Sequence, residues 1–114
     1  MNLEIVSNHL KSTEFVLKTQ QQIIKDFGTA NIDFPSDFHS IPYPTERIIS
    51  ELSIRLRMQE SSDPRGFSQL LYQIDLPESI LPELSETDDF YTRLGEVILK
   101  REAYKVYLRQ QFSK

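Results

Sequence analysis

The prolines of this chain are the feature that most constrains its fold. Six of them, at positions 35, 42, 44, 64, 77 and 82, divide the sequence, because proline cannot donate a backbone hydrogen bond inside a helix or a central strand. Between them, apolar residues recur every three or four positions, and alternating strand patterns do not extend over useful lengths. The sequence predicts an all-α protein: an antiparallel bundle of four main helices, with an extra short helical turn near residues 78–84 and a long aromatic-rich loop.

Length and composition favour a single helical domain over residues 1–114. A chain of 114 residues, 39% of them hydrophobic, can build one core. The absence of cysteine excludes disulfides, zinc–cysteine sites and thiol catalysis. The N-terminus shows no basic start followed by an apolar run, and no long apolar stretch occurs, so we expect neither a signal peptide nor a membrane span. A cytoplasmic location is the default expectation.

The N-terminal part of the chain predicts one long helix, from about Asn2 to Phe27, that ends at Gly28. Its apolar residues fall within one broad arc, as in a helix with one buried face. A break near Ser12 and Thr13 is an alternative, because either side chain could cap a second segment.

The segment 28–43 is predicted to be a loop, and its aromatic content indicates that this loop is ordered. Phe34, Phe38 and Tyr43 indicate a long ordered connection pinned by its rings. In the main interpretation these rings close one end of the bundle. In the alternative, the same three rings form an exposed docking surface, with Phe38 and Tyr43 as candidate binding residues.

The second predicted helix starts near Pro44 and Thr45, with Thr45 as a candidate cap, and ends near Gln59. Ile54 and Met58 lie opposite its main apolar stripe, which suggests that a second face of this helix is sheltered as well.

Asp63 and Pro64 predict the start of a third helix, since a capping acid followed by proline is typical of a helix N-terminus. Four apolar residues then share one side of this helix: Phe67, Leu70, Leu71 and Ile74. Pro77 ends the helix or begins the short helical turn.

The last predicted helix opens at Asp88 or Asp89 and continues to about residue 112. Its main apolar set is Phe90, Leu94, Val97, Ile98, Tyr104, Leu108 and Phe112. A second set, on another side, is Tyr91, Leu99, Ala103 and Val106. A helix that covers one small bundle needs a single stripe, so two sets indicate either a central position or a face against another chain. The second alternative predicts self-association, most simply as a two-fold homodimer.

Arg101 falls inside the main apolar set of this helix. A buried guanidinium has to be paired, and Asp75 and Glu78 are the first candidates for its partner. A side chain that extends its charged head into water and a site for an anion or another ligand are the alternatives.

Motifs for catalysis or metal binding are not recognisable. His9 and His39, the two histidines, belong to no H-E-x-x-H or E-x-x-H spacing, and neither phosphate-binding glycine loops nor G-x-S-x-G occur. We therefore predict no catalytic residue, no metal and no cofactor, and lean against an enzyme. His9, Thr13 and Gln20 project into the apolar arc of the first helix, where they are either satisfied locally or form a polar seam that lines a small pocket.

The net charge of −4 is unevenly distributed, with six acids and no base over residues 75–92 and six bases against two acids over residues 93–114. We expect these segments to neutralise each other, and a basic end offered to an acidic partner is the alternative. Nucleic acid is not an expected partner, because the domain is not basic and the segment 67–74, which would be the recognition helix of a helix–turn–helix, contains no base.

The leading functional prediction is a non-catalytic interaction or regulatory domain that self-associates and binds protein partners through helical faces. The alternative is a domain that binds a small molecule or an anion near Arg101 or the polar seam. We expect neither a nucleic-acid nor a membrane partner. The candidate binding residues are Arg101, Tyr91, Leu99, Val106, Phe38 and Tyr43.

Overall fold

The structure, a computed structural model, describes residues 4–76, 79–84 and 89–112. Within these ranges it contains six helices and no strand, which confirms the all-α class. The helices are α1 (Glu4–His9), α2 (Thr13–Gly28), α3 (Thr45–Ser62), α4 (Pro64–Ile74), α5 (Ile80–Leu84) and α6 (Phe90–Phe112). The antiparallel arrangement stays a prediction. Predictions that concern Asn2, Pro77, Glu78 and Asp88 fall outside the described residues.

The structure has two helices, α1 and α2, where the sequence predicts one. The break lies near Ser12 and Thr13, which is the alternative that their capping side chains indicate. Ser12 is the N-cap of α2, and its hydroxyl accepts a hydrogen bond from the backbone N–H of Phe15 at 3.3 Å. Gly28 is the last residue of α2, as predicted, but its φ is not positive. The left-handed backbone that reverses the chain occurs at Asn31, with φ 59°. An asparagine tolerates this conformation better than most residues do.

The loop after α2 is ordered by a row of aromatic rings. The ring of Phe34 lies 5.4 Å from that of Phe27 and 4.7 Å from that of Phe38, and Tyr43 meets Phe38 edge-on at 5.0 Å. Such contacts bury apolar surface and fix the geometry of the rings. The prediction of a long aromatic-rich loop is therefore confirmed.

A single residue separates α3 from α4. Asp63 ends α3 and caps α4, because its Oδ1 accepts a hydrogen bond from the N–H of Gly66 at 3.0 Å, and Pro64 follows at the first helical position. This start of the third predicted helix is confirmed. The start of α3 differs from the prediction, since Pro44, not Thr45, is its N-cap and makes no side-chain cap. Gly66 lies in the first turn of α4.

Helix α6 occupies the centre of the fold and contacts each of the other five helices. It comes closest to α3 at Gly95, where a Cβ atom would lie 3.2 Å from the carbonyl oxygen of Ile49. The main core lies between α2, α3, α4 and α6, and a smaller cluster joins α1 and α2 to the C-terminal half of α6. None of the helices in the described ranges combines the length and apolarity that crossing a membrane requires.

Candidate functional site

The second apolar set of α6 is buried by the chain itself. Leu99, Ala103 and Val106 are at most 4% exposed, and Tyr91 is half-buried, with its hydroxyl donating a hydrogen bond to Glu60. This hydrogen bond raises the pKa of Tyr91. The central position of α6 thus accounts for its two apolar sets. The homodimer remains an untested prediction, but these residues no longer argue for it.

The aromatic residues of the loop are not a docking surface. Phe38 is fully buried and Tyr43 is 4% exposed, so the interpretation in which they face a partner is wrong. Tyr43 donates a hydrogen bond to Asp37, which raises the pKa of its phenol, and Arg47 lies over its ring at 4.0 Å. Burial of these rings removes a large apolar area from water and so stabilises this end of the fold.

Arg101 forms the ion pair that the sequence predicted. Its Nη2 lies 2.9 Å from Oδ2 of Asp75, and its Nε donates to the backbone oxygen of the same residue at 3.3 Å. The Arg101 side chain is 12% exposed, whereas the side chain of Asp75 is 82% exposed. Water therefore reaches Asp75, and the ion pair connects α6 to the end of α4 at the protein surface.

The three residues of the predicted polar seam do not come together. His9 packs its ring against Phe15 and Tyr107 at 5.2 and 5.1 Å, Thr13 is exposed at the start of α2, and Gln20 is fully buried. The break between α1 and α2 is the reason, because it places His9 and Gln20 on separate helices. A ligand pocket at this seam is therefore not supported.

Gln20 instead holds the aromatic loop in place. Its amide nitrogen donates to the backbone oxygens of Phe38 at 2.7 Å and Ile41 at 2.9 Å, and its oxygen accepts from the N–H of Tyr43 at 2.7 Å. Buried backbone groups of a loop need such partners. Gln20 is thus satisfied locally, the first of the two alternatives for this residue.

The outer face of α3 differs clearly in exposure from the sequence prediction. Ile54 is 52% exposed and Met58 is 65% exposed, so the expectation that this second face is sheltered is wrong. The two side chains are one helical turn apart and line a groove of about 430 Å³ beside the turn at Ile32 and Asp33. Other residues lining this α3 groove are Glu51, Arg55, Gln59 and Ser62.

Arg55 makes one wall of the α3 groove rigid. Its Nη1 lies 3.1 Å from Oε1 of Glu51, its Nε donates to the backbone oxygen of Asp33 at 2.6 Å, and its guanidinium lies 4.6 Å from the centre of the Phe34 ring. These contacts tie α3 to the turn that follows α2. The fold thus fixes one wall of the groove.

A buried cluster of charges lies between α2 and α6. Asp26 is 3% exposed, and its two carboxylate oxygens accept hydrogen bonds from Gln22 at 3.2 Å and from Lys105 at 2.8 Å. Glu102 is fully buried beside this pair, with the ammonium nitrogen of Lys105 at 3.5 Å from its Oε1. Neither oxygen of Glu102 accepts a hydrogen bond from the residues that the structure describes.

Burial raises the pKa of Glu102 to about 9, and its hydrogen bond and charge repulsion with Asp26 act in the same direction. Burial also acts to raise the pKa of Asp26, but the hydrogen bonds from Glu102, Lys105 and Gln22 and the charge of Lys105 outweigh it, and the pKa of Asp26 is lowered. At neutral pH one carboxyl is therefore protonated and the other is ionised. The protonated Glu102 donates a hydrogen bond to the ionised Asp26, so the two acids no longer repel each other.

The buried cluster gives no sign of metal binding. Across the described ranges, no three His, Asp or Glu side chains lie close enough together to hold a metal ion. The cation that Asp26 and Glu102 face is the ammonium group of Lys105.

The sequence did contain a signal for this buried cluster. Glu102 is three residues after Leu99 and four before Val106, so it lies within the second apolar set of α6.

Comparisons with known proteins supply no family for this chain. No family model, no curated protein and no solved structure matches it. Functional conclusions therefore rest on the surfaces and charges described above.

Proposed function

We propose that this chain is a small non-catalytic interaction domain that binds an amphipathic helical segment of another protein in the α3 groove. The observation that carries this proposal is the exposure of Ile54 and Met58 at the centre of that groove. Two adjacent large apolar side chains in water cost free energy that a partner recovers by covering them.

The spacing of the exposed residues favours a helical partner. Ile54 and Met58 are separated by one turn of α3, and apolar residues one turn apart on a second helix can pack beside them. This mode of recognition requires a preformed groove, which Arg55 helps to build.

Charge indicates how the partner is oriented. Glu51 is already neutralised by Arg55, whereas Asp33 is exposed and has no ion pair with any residue in the described part of the chain. A lysine or arginine at the edge of the partner's apolar face would complement Asp33. The proposed ligand is therefore a helix with an apolar stripe and a flanking base.

The size of the apolar patch argues against a stable homodimer at this site. A stable interface buries about 800 Å² on each partner, and two exposed side chains in one groove supply only part of that area. A weak, reversible complex with a peptide-sized segment fits the groove better. The non-catalytic character and the cytoplasmic location belong to this proposal as predictions from the sequence.

Selection from a phage-displayed library of helical peptides tests the proposal with a defined probe. We expect the enriched peptides to share apolar residues one turn apart and a nearby base, and to bind with micromolar affinity. The substitutions Ile54→Asp and Met58→Asp should each weaken binding by about tenfold or more, because they place a charge against the apolar face of the peptide.

Tyr72→Ser is the matched control, since Tyr72 is 86% exposed on α4 and does not line the α3 groove. It should leave peptide affinity unchanged. The proposal fails if the enriched peptides share no helical pattern, if Met58→Asp binds them as well as the unaltered protein does, or if analytical ultracentrifugation shows a dimer that Met58→Asp dissociates.

A further inference from the structure

A second groove, between α2 and α6, is lined by positive charge. It measures about 410 Å³, and its lining residues are Lys18, Gln21, Gln22, Lys25, Val106, Arg109 and Gln110. Three of these side chains are cations, three are amides and none is an acid. In a chain with a net charge of −4, such a concentration of bases is unusual and marks this basic groove as distinct from the rest of the surface.

The guanidinium in the basic groove is held in place by a chain of hydrogen bonds. Nη2 of Arg109 donates to Oε1 of Gln22 at 2.7 Å, and Gln22 is only 6% exposed. The amide nitrogen of Gln22 donates to Asp26 at 3.2 Å, and Asp26 is bound by Lys105 at 2.8 Å. Arg109 is therefore oriented by buried groups of both helices and keeps its other N–H donors for a ligand.

Nearby acids do not cancel the positive charge. Glu14 lies at one end of the groove, 3.4 Å from Lys18, and its side chain is 81% exposed, so water screens it. Asp26 is matched by Lys105. Glu102, which is buried beside Asp26 and Lys105, is protonated at neutral pH because burial raises its pKa to about 9. Lys25 and Arg109 have no ion pair with the described residues.

We propose that the basic groove binds a phosphate-bearing ligand, with the phosphoryl oxygens against Arg109 and the flanking lysines. A planar guanidinium offers paired N–H donors that match two phosphate oxygens, and lysines add point charges. The glutamine amides can donate to the remaining polar groups of the ligand. The described lining contains no aromatic ring on which a base could stack, so the phosphate group is the recognised feature. This inference is independent of the α3 groove.

Titration of the isotope-labelled protein with two probes, inorganic pyrophosphate and a phosphoserine peptide flanked by glycines, tests the proposal by NMR. We expect saturable shifts of backbone amides in residues 18–25 and 106–110. The probe that binds more tightly identifies the source of the phosphate, a free small molecule or a modified protein. Shifts that do not saturate by about 10 mM of both probes, or that spread over the whole surface, would overturn the proposal.

Three substitutions distinguish a built site from diffuse charge. Arg109→Gln should weaken binding by about tenfold or more, because it removes the charged donors. Arg109→Lys keeps the charge but loses the paired donors, so it should weaken binding by several-fold. Arg65→Gln, on an exposed arginine of α4, makes the same charge change outside the groove and should have little effect. Equal losses for Arg109→Gln and Arg65→Gln, or unchanged binding by Arg109→Lys, would contradict the proposal. If Arg109→Gln does not fold, Arg109→Lys and Lys25→Gln provide the test.

Discussion

Replacement of Glu102 by glutamine is expected to stabilise the protein at neutral pH. Glu102 is fully buried, and as a carboxylate it would accept no hydrogen bond from the described residues and would face the ionised Asp26. The folded state therefore keeps it protonated, while the unfolded chain releases the proton. Glutamine has nearly the same shape, is always neutral and can donate an N–H to Asp26 where the acid donates its proton.

The magnitude follows from the difference in proton affinity between the two states. The pKa of Glu102 is about 9 in the folded protein, whereas the ordinary pKa of a glutamate, which applies to the unfolded chain, is 4.5. Below pH 4.5 both states hold the proton. Between pH 4.5 and 9 only the folded state does, so the free energy of unfolding falls by about 1.4 kcal/mol for each pH unit. At pH 7 the accumulated loss is about 3 kcal/mol, and Glu102→Gln should remove it.

Urea denaturation from pH 5 to pH 9 measures this effect. The free energies of unfolding of Glu102→Gln and of the unaltered protein should differ little at pH 5 and diverge as pH rises. Asp26 does not obscure the comparison, since its lowered pKa affects stability only as pH falls below its ordinary value of 3.8. Glu96→Gln, at an exposed position of the same helix, is the control and should change stability by about 0.5 kcal/mol or less. Parallel pH profiles for Glu102→Gln and the unaltered protein would refute the reasoning.

Four further substitutions test other contacts by urea denaturation. Gln20→Leu should cost about 3 kcal/mol and expose the loop to proteases, because it leaves three backbone groups of the loop, two of them buried, without this partner. Unchanged stability would show that the loop does not need this side chain. Gly66→Ala should lower the free energy of unfolding by about 1 kcal/mol, because the new Cβ would lie 2.2 Å from the carboxylate that caps α4. Gly28→Ala should raise the free energy of unfolding by about 0.5 kcal/mol, because its Cβ would meet no atom within 4 Å. Equal effects at the two glycines would contradict this reasoning. Arg101→Leu should cost about 1 kcal/mol or less because the side chain of Asp75 is 82% exposed, and a loss above 3 kcal/mol would mean that the pair is effectively buried.

The sequence predicted those features that depend on neighbouring residues. The cap at Asp63, the proline after it and the apolar side of α4 are local, and all are observed. The break after α1 was recognised as an alternative because Ser12 can cap a helix, and capping needs only the next three residues. Local chemistry of this kind is readable without knowledge of the partner surfaces.

The surroundings of a helix face could not be predicted in the same way. The spacing of Leu99 and Val106 shows that a second side of α6 is apolar, but not whether the same chain or another one covers it. The spacing of Ile54 and Met58 likewise gave no indication that their face of α3 is open. Periodicity identifies a face, whereas burial depends on long-range packing.

A charged residue within an apolar set of a helix indicates a buried polar contact. Arg101 was singled out for its place in the main set of α6, and its ion pair with Asp75 followed from charge alone. Glu102 occupies an equivalent place in the second set, where Lys105 is a base three residues away, but the sequence does not show which residue accepts its proton. Its partner, Asp26, is another acid that is 76 positions away, and like charges are not expected to meet unless one of them binds a proton.

The central position of α6 also separates the residues that maintain the fold from those free to bind ligands. Because α6 contacts every other helix, the charges on its inner side, Glu102 and Lys105, are paired or protonated inside the protein, and substitutions of these two residues should change stability. The α3 groove lies on the outer side of a helix whose inner side already packs on α6, so Ile54 and Met58 contribute little to the core. Substitutions at these two positions should therefore leave the free energy of unfolding within about 0.5 kcal/mol while they weaken peptide binding by about tenfold or more. A comparable loss of stability and binding at Met58 would show that this face serves the fold and not a partner.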